Sequence, residues 1–190
     1  MHKDFRNDLN QVLKDIKKES KSLAGKTILI SGGAGFIGSY IVSLLYFLNK
    51  NLLKKKCKVI SLDNYITGMK QNFIVDIQDE NFKFLHHDVR LNLNINEKID
   101  FIIHAAGLAS PYYYKKYPLE TIESAIFGGK NLLELARLYN VESFLFFSSS
   151  EIYGDPDAEH VPTPETYAGH VLEILQQILA TRIQVRKRLI

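Results

Sequence analysis

The 190-residue sequence contains one cysteine, no tryptophan and no long apolar run. The single Cys57 excludes a disulfide framework and a cysteine-rich zinc site, and it fits a reducing compartment. No apolar run approaches the ~20 residues that a membrane-spanning helix needs. The first twenty residues are charged throughout, so we expect no signal-peptide apolar region there. These absences predict a cytoplasmic protein with no membrane partner and no metal site.

Charge of neither sign dominates the sequence. Lysine and arginine total 24 against 21 acidic residues, which gives a net charge of +3. Domains that bind nucleic acid usually concentrate basic residues on one face, so this small excess predicts no nucleic-acid partner. The 46% hydrophobic and 24% charged residues are typical of a globular protein, and the length suits one ordinary domain.

Short apolar strands alternate with helical segments through the middle of the chain. Five runs are predicted as strands: Thr27–Ile30, Lys58–Leu62, Phe82–Leu85, Phe101–Ile103 and Phe144–Phe147. Helices are predicted over residues 36–49 and 121–139. This alternation favours an α/β fold, a Rossmann-like doubly wound parallel sheet of about five strands in the order 3-2-1-4-5.

The two ends of the chain differ from this central part. Residues 3–23 place apolar side chains at helical spacing, so residues 1–24 are predicted to carry an amphipathic helix that packs on its own domain. Three of the five prolines fall between residues 155 and 165, which predicts a loop. Residues 171–190 are predicted to form a helical tail, which leaves the sheet domain at residues 25–170.

A glycine-rich turn between the first strand and the following helix is the most informative segment. Gly32 permits the tight turn, Gly35 allows a pyrophosphate to approach the backbone, and Gly38 allows close packing of helix on strand. Backbone N–H groups at the start of the helix, around Phe36 and Ile37, then favour a phosphate. The strand before the turn and the helix after it are the context that this pattern requires.

The second predicted strand ends in an acidic residue, Asp63. A carboxylate at this strand tip can accept hydrogen bonds from an adenosine ribose and repels a 2′-phosphate, which favours NAD over NADP. The interval from the glycine turn exceeds the usual ~20 residues, and the polar stretch 49–56 accounts for the extra length. The alternative for Asp63 is an ordinary turn residue.

Several motifs together resemble the extended short-chain dehydrogenase/reductase family, in its NAD-dependent epimerase/dehydratase branch. The resemblance covers residues 26–171. The motifs are the glycine turn Gly32–Ser39, the ribose-binding turn Leu62–Gly68, the Asp88-Val89 pair near the adenine, and the fourth-strand motif His104–Gly107.

Three further segments resemble UDP-glucuronate decarboxylases within that branch. They are Ala109–Pro111 with Tyr117–Thr121, the serine-rich segment Ser148–Pro156, and Pro162–Val171. The resemblance implies that NAD oxidises the C4 hydroxyl of a nucleotide sugar, carbon dioxide leaves, and the ketone is reduced to give UDP-xylose. UDP-glucuronate is the implied substrate, and full-length relatives are implied to be homodimers.

The resemblance also implies roles for individual residues. The implied cofactor-binding residues are Gly32, Gly35, Phe36, Ile37, Gly38, Asp63, Asn64, Thr67, Gly68, Asp88, Val89, Ala105, Ala106, Gly107, Thr121 and Ser148. Ser110, Pro111 and Glu120 are implied substrate contacts. Ser149 matches the hydroxyl that aligns the sugar oxygen, and Glu151 matches the acidic residue of the decarboxylation step. A serine-rich strand end that only satisfies backbone groups is the alternative for these two residues.

The sequence departs from the family where the catalytic base should be. The family uses Tyr-x-x-x-Lys on a helix, and residues 172–190 contain no tyrosine. The same spacing occurs at Tyr46/Lys50 and Tyr112/Lys116, and we interpret both as chance matches. Glu120 and Ala125 stand where many decarboxylases have lysine and asparagine, which leaves the exact sugar open.

The resemblance further implies a sixth strand and a substrate-binding lobe that this sequence does not contain. We therefore expect a C-terminally truncated, NAD-binding portion of a decarboxylase-like enzyme, inactive by itself, with residues 172–190 unrelated to the family. A 4-epimerase or 4,6-dehydratase of sugar nucleotides is the alternative among enzymes. A non-catalytic NAD-binding module is the alternative from another class.

Overall fold

The computed structural model of the chain describes residues 3–67 and 77–167. The chain forms two compact units, Met1–Phe147 and Ser148–Ile190. The first unit contains a sheet with strands β1 Thr27–Ser31, β2 Lys58–Asp63, β3 Phe82–His86, β4 Phe101–His104 and β5 Ser143–Phe146. The order across the sheet is β3-β2-β1-β4-β5, and all neighbouring pairs are parallel. The predicted fold class and strand order are confirmed.

The first four strands each extend one residue beyond the predicted end. The added residues, Ser31, Asp63, His86 and His104, are polar. The apolar pattern stops before them, but the backbone ladder continues, as in the pairing of Asp63 with His86. The sheet therefore presents polar side chains at the carboxyl ends of these four strands.

The helices of the described chain are α1 Lys3–Asp15, α2 Phe36–Asn51, α3 Pro111–Lys116, α4 Pro118–Glu123 and α5 Gly129–Tyr139. A π-helical turn, Ser124–Gly128, joins α4 to α5. Short 3-10 helices lie at Glu19–Leu23, Ser150–Tyr153 and Ala158–His160.

The N-terminal helix is shorter than the predicted span of residues 3–23, because α1 ends at Asp15. In the 3-10 helix that follows, the hydroxyl of Ser22 donates to the carbonyl of Glu19 at 2.7 Å. Serine hydroxyls compete in this way for backbone groups and disfavour a continuous α-helix. Leu13 of α1 is buried in the same apolar cluster as residues of α2, so the helix packs on its own unit.

The long helix predicted over residues 121–139 begins earlier and is irregular. It starts at Pro118, a residue suited to the first helical position, and the π turn interrupts it. It ends at Tyr139, and the next residue, Asn140, has a φ of 48°, the left-handed conformation that commonly terminates helices. The short helix α3 was not predicted.

Apolar clusters cover both faces of the sheet. Along β1, Ile28 and Ile30 pack into the cluster with α1 and α2, whereas Leu29 packs into the cluster with α5. Alternate residues of a strand point to opposite faces, so helices cover the sheet from both sides. The sheet is thereby held rigidly, and its strand ends can position a site.

The remaining sequence predictions concern loops and ends. Residues 155–165 form an irregular segment with one short 3-10 helix at Ala158–His160, in agreement with the predicted loop. The predicted helical tail, 171–190, lies outside the described residues. Among the helices described, none has the length and apolarity to cross a membrane.

Candidate functional site

A continuous cleft runs along the carboxyl ends of β2, β1 and β4. Its first part is lined by Gly32, Gly35, Asp63, Asn64, Ile66, Thr67, His87, Val89, Arg90, Ala105, Ala106, Gly107, Leu108, Glu120 and Ser124. Its second part shares several of these residues and adds Ala34, Phe36, Ile37, Gly38, Ser39, Ala109, Ser110 and Tyr113. Ligands of open α/β sheets bind at this edge, where the strand order reverses.

The glycine turn between β1 and α2 is held tightly by backbone contacts. Gly32 has φ of 73°, and a Cβ atom there would lie 2.6 Å from the Ala105 carbonyl oxygen. A Cβ atom on Gly38 would lie 2.0 Å from the carbonyl oxygen of Gly32. Gly35 precedes α2 and carries no side chain that could cap it. The start of α2 therefore offers N–H groups and the positive end of a helix dipole to an anion.

Asp63 connects the tip of β2 to the glycine turn. Its Oδ2 accepts a hydrogen bond from the backbone N–H of Ala34 at 2.9 Å, and its Oδ1 accepts one from Tyr65 at 2.8 Å. Asp63 lines the cleft, and these two donors use only two of the about four acceptor positions of its carboxylate. The predicted ribose-binding residue therefore also fixes the turn that would hold the phosphates.

A second carboxylate, Asp88, follows β3 and is surrounded by donors. Arg90 binds it through Nε and Nη2, with Nη2 2.8 Å from Oδ2. Asn64 donates to the same oxygen from Nδ2 at 3.1 Å. Burial would raise the pKa of Asp88, but the hydrogen bonds from Arg90 and Asn64 outweigh it and lower the pKa to about 2. Asp88 is therefore ionised over the whole physiological range.

His104, at the end of β4, lies beneath the cleft and is 2% exposed. Its Nδ1 is 2.7 Å from Oγ of Ser31, and the same hydroxyl oxygen accepts a longer hydrogen bond from the backbone N–H of Ala106. The Nε2 atom is buried and has no hydrogen-bond partner. Burial lowers the pKa of His104, although the nearby carbonyl of Ser124 partly opposes this effect. The imidazole is neutral at pH 7, and its hydrogen bond with Ser31 links β4 to β1.

The cleft brings together most of the residues that the sequence assigned to a cofactor. They are Gly32, Gly35, Phe36, Ile37, Gly38, Asp63, Asn64, Thr67, Val89, Ala105, Ala106 and Gly107. Two of the three candidate substrate contacts, Ser110 and Glu120, line the cleft as well. Asp88, Thr121 and Pro111 are not among the lining residues of either part. Gly68 lies outside the described residues.

Some cleft residues carried no signal in the sequence. Arg90, His87 and Ser124 line the walls, and none belongs to a motif whose chemistry predicted it. A possible signal for Arg90 was its place two residues after Asp88, since Asp side chains accept from the backbone two residues on. The Arg90 N–H indeed donates to Oδ1 of Asp88 at 3.0 Å.

The candidate catalytic residues belong to the second unit. Ser149 begins its first helical turn, and its carbonyl accepts from the N–H of Ile152 at 3.3 Å. Ser148 precedes it, and Glu151 lies in the 3-10 helix Ser150–Tyr153.

Neither chance match to the Tyr-x-x-x-Lys spacing lines the cleft. On α2, the Lys50 ammonium lies 5.3 Å from the ring centre of Tyr46 and 3.5 Å from Asp79. On α3, the Lys116 ammonium lies 5.8 Å from the ring centre of Tyr112. Both lysines are thus engaged in surface contacts of ordinary kinds.

Comparisons with known proteins extend these observations. A sequence model described as the NAD dependent epimerase/dehydratase family matches residues 28–181, which runs beyond Val171. UDP-glucuronic acid decarboxylase 3 of Arabidopsis thaliana is 43% identical over 144 residues, which are 76% of this chain and 39% of that protein. The chain therefore spans less than half the length of this relative.

Solved structures of similar fold include two nucleotide-sugar enzymes. One is a UDP-glucose 4-epimerase from Thermotoga maritima, with a TM-score of 0.57 and 28% identity over 74% of this chain and 43% of that chain. The other is a dTDP-glucose 4,6-dehydratase from Streptomyces venezuelae, solved with NAD and TYD bound. Its TM-score is 0.58, with 27% identity over 70% of this chain and 42% of that chain.

Proposed function

Because the chain belongs to the NAD dependent epimerase/dehydratase family, we propose that its cleft binds NAD as the cofactor-binding part of a nucleotide-sugar-modifying enzyme. The observation that carries this proposal is the coupling of Asp63 to the glycine turn through the Ala34 N–H. The turn suits a pyrophosphate and the carboxylate suits a ribose, and one hydrogen bond fixes the two relative to each other. Such an arrangement fits a dinucleotide better than a mononucleotide.

Each part of the cleft has a physical role in this proposal. The uncapped start of α2 binds the phosphates, and Gly32, Gly35 and Gly38 allow their approach. Asp63 accepts from the ribose hydroxyls and opposes a 2′-phosphate. When it is bound, the oxidised cofactor would accept a hydride and the reduced cofactor would donate it.

For the reaction type, we favour a UDP-glucuronate decarboxylase. The support is the 43% identity to the Arabidopsis thaliana enzyme and the decarboxylase-like segments that contain Ser110 and Ser149. In this proposal Ser149 aligns the C4 oxygen of the sugar, and Glu151 serves the decarboxylation step. The one buried cysteine, Cys57, fits action in the cytoplasm. A 4-epimerase or 4,6-dehydratase would differ in its product.

The test of cofactor choice is calorimetric titration of the chain with NAD and with NADP. We expect NAD to bind more tightly, because the 2′-phosphate would lie against the Asp63 carboxylate. Asp63→Asn should reduce the difference in affinity between NAD and NADP. Asp8→Asn, at an exposed position of α1, should leave that difference unchanged. Tighter binding of NADP to the unchanged chain would contradict the proposal.

For the 190-residue chain itself, a second candidate is a non-catalytic NAD-binding module. The observation in its favour is that no tyrosine follows Tyr167. Loss of a general acid–base group costs roughly 10²–10⁴-fold in rate. We therefore expect no UDP-xylose when the chain is incubated with NAD and UDP-glucuronate. Steady release of UDP-xylose would show that another group acts as the base.

A further inference from the structure

The buried imidazole of His104 adjoins groups that belong to two walls of the cleft. Its Nδ1 is 2.7 Å from Oγ of Ser31, and that oxygen accepts from the N–H of Ala106 at 3.4 Å. The π turn, whose first residue is Ser124, passes the Nε2 edge of the ring. Ala106 and Ser124 both line the cleft. One ring therefore supports the wall that follows β4 and the wall that the π turn forms.

The π turn packs closely on this ring. A Cβ atom on Gly128 would lie 3.7 Å from Cε1 of His104, and one on Gly129 would lie 3.9 Å from Nε2. The Cβ atom on Gly128 would also lie 2.7 Å from the side chain of Val89, so the turn is confined from that side as well. Turns of π type are rare and occur frequently at functional sites. The path of this turn depends on the ring beneath it.

The surroundings of the ring favour its neutral form. The described residues found against it are uncharged: Ser31 of β1, Ser124, Gly128 and Gly129 around the π turn, and Phe146 of β5, whose ring centre is 5.3 Å away. Burial lowers the pKa of His104, and within the described chain no carboxylate opposes this effect.

A proton added to His104 would change the hydrogen bonds on both sides of the ring. The charged ring donates from both nitrogen atoms. At Nδ1, the Ser31 hydroxyl would have to accept, so its own proton would need another acceptor. Nε2 has no hydrogen-bond partner in the described chain, and the nearby acceptor is the carbonyl of Ser124. Donation to this carbonyl would draw the π turn toward the ring and displace Ser124 in the cleft wall.

We propose that His104 is a positioning residue for the cofactor, whose neutral ring holds both walls in the arrangement that binds NAD and whose protonation weakens this binding. The inference rests on the proposed function, because it assumes NAD in the cleft. His104 acts through Ser31 and the π turn, without touching the cofactor. Linkage is reciprocal, so the chain with NAD bound must take up the proton on His104 less readily than the free chain.

The first experiment is calorimetric titration of the chain with NAD between pH 7.5 and pH 5.0. We expect the affinity to fall roughly threefold or more over this range, and by no more than about tenfold per pH unit, the limit for one proton. His104→Gln should lose this pH dependence, because glutamine does not titrate. A merely structural role would instead lower the affinity equally at every pH. That result, or an affinity of the unchanged chain that rises on acidification, would overturn the inference.

Two other histidines serve as controls. His86 is exposed at the end of β3, so His86→Gln is the matched variant and should keep the pH dependence. His87 lines the cleft and is the competing source of a pH effect. His87→Gln should also keep the dependence, and its loss there would assign the effect to His87 and overturn the inference. Thermal unfolding at each pH reports whether each variant is folded.

The second experiment needs no variant. The proton resonance on Cε1 of His104 is followed by NMR through a pH titration of the free chain and of the chain saturated with NAD. We expect the pKa of His104 to be lower in the NAD-bound chain, and equal values would overturn the inference. Binding of NAD that does not change with pH would refute this inference alone. A chain that binds no NAD at any pH would refute the proposed function together with it.

Discussion

A methyl group on Gly38 would lie 2.0 Å from the carbonyl oxygen of Gly32, which belongs to the backbone of the same turn. Overpacking of this kind typically costs about 1–3 kcal/mol. We therefore expect Gly38→Ala to lower the midpoint of thermal unfolding and to abolish NAD binding in a titration. Gly129→Ala is the control, because Gly129 does not line the cleft and a Cβ atom there would meet only His104, at an ordinary contact distance of 3.9 Å. Equal midpoints for the two variants would contradict this explanation.

The buried imidazole of His104 predicts a pH dependence of stability. Its pKa is lowered in the folded state by burial, so below the unfolded value of about 6.5 the unfolded chain binds the proton more readily. The free energy of unfolding should therefore fall as the pH is lowered through about 6.5. Urea unfolding at pH 7.5 and 5.5 measures this decrease.

His104→Gln should remove part of that decrease, since glutamine does not titrate, although it should also lower stability at pH 7.5. His86→Gln is the control, because His86 is exposed, and it should keep the decrease seen in the unchanged chain. If His104→Gln and His86→Gln show the same pH dependence as the unchanged chain, His104 is not its source.

Among single residues, the sequence predicted those whose role depends on a local pattern. Gly32, Gly35 and Gly38 form one turn, so their spacing alone carries the signal. The contacts of Arg90 with Asp88 and Glu123 were not predictable in this way. Asp88 follows β3 and Glu123 ends α4, so only the folded chain brings these residues together.

Among the elements, α1 offers a test of whether the N-terminal segment stabilises the sheet unit. Leu13 is 7% exposed and packs in the cluster with α2. Leu13→Ala should cost about 2–3 kcal/mol in the free energy of unfolding, measured with urea. Leu138→Ala is the matched control, because Leu138 is 74% exposed. A cost below 0.5 kcal/mol, which is typical of surface substitutions, would indicate that α1 contributes little.

The strands were predictable to within one residue because their interiors are apolar on both faces. The last residues of β1 to β4 were missed because they are polar, as at Ser31 and His104. The π turn Ser124–Gly128 was also missed, since its sequence fits an α-helix equally well. It lies where the chain passes His104, and a Cβ atom on Gly128 would approach Val89 at 2.7 Å. Close packing, rather than helix propensity, shapes this turn.

For the whole molecule, a ligand that binds only the folded chain must raise its stability. NAD at 100 times its dissociation constant should add about 2.7 kcal/mol to the free energy of unfolding. Thermal unfolding should show a rise that grows with NAD concentration. NADP at the same concentrations should give a smaller rise. An unfolding midpoint that does not respond to NAD would contradict binding at the cleft.

The hydrogen bond between Asp63 and the glycine turn affects the rate at which a dinucleotide associates with the chain. The hydrogen bond to Ala34 and the contact of Gly38 with Gly32 already hold the turn in place without a ligand. The phosphates of a dinucleotide then meet a turn that is already formed, so no rearrangement of this turn precedes binding. The observed rate of association should rise in proportion to ligand concentration, without the plateau that a preceding conformational step would impose.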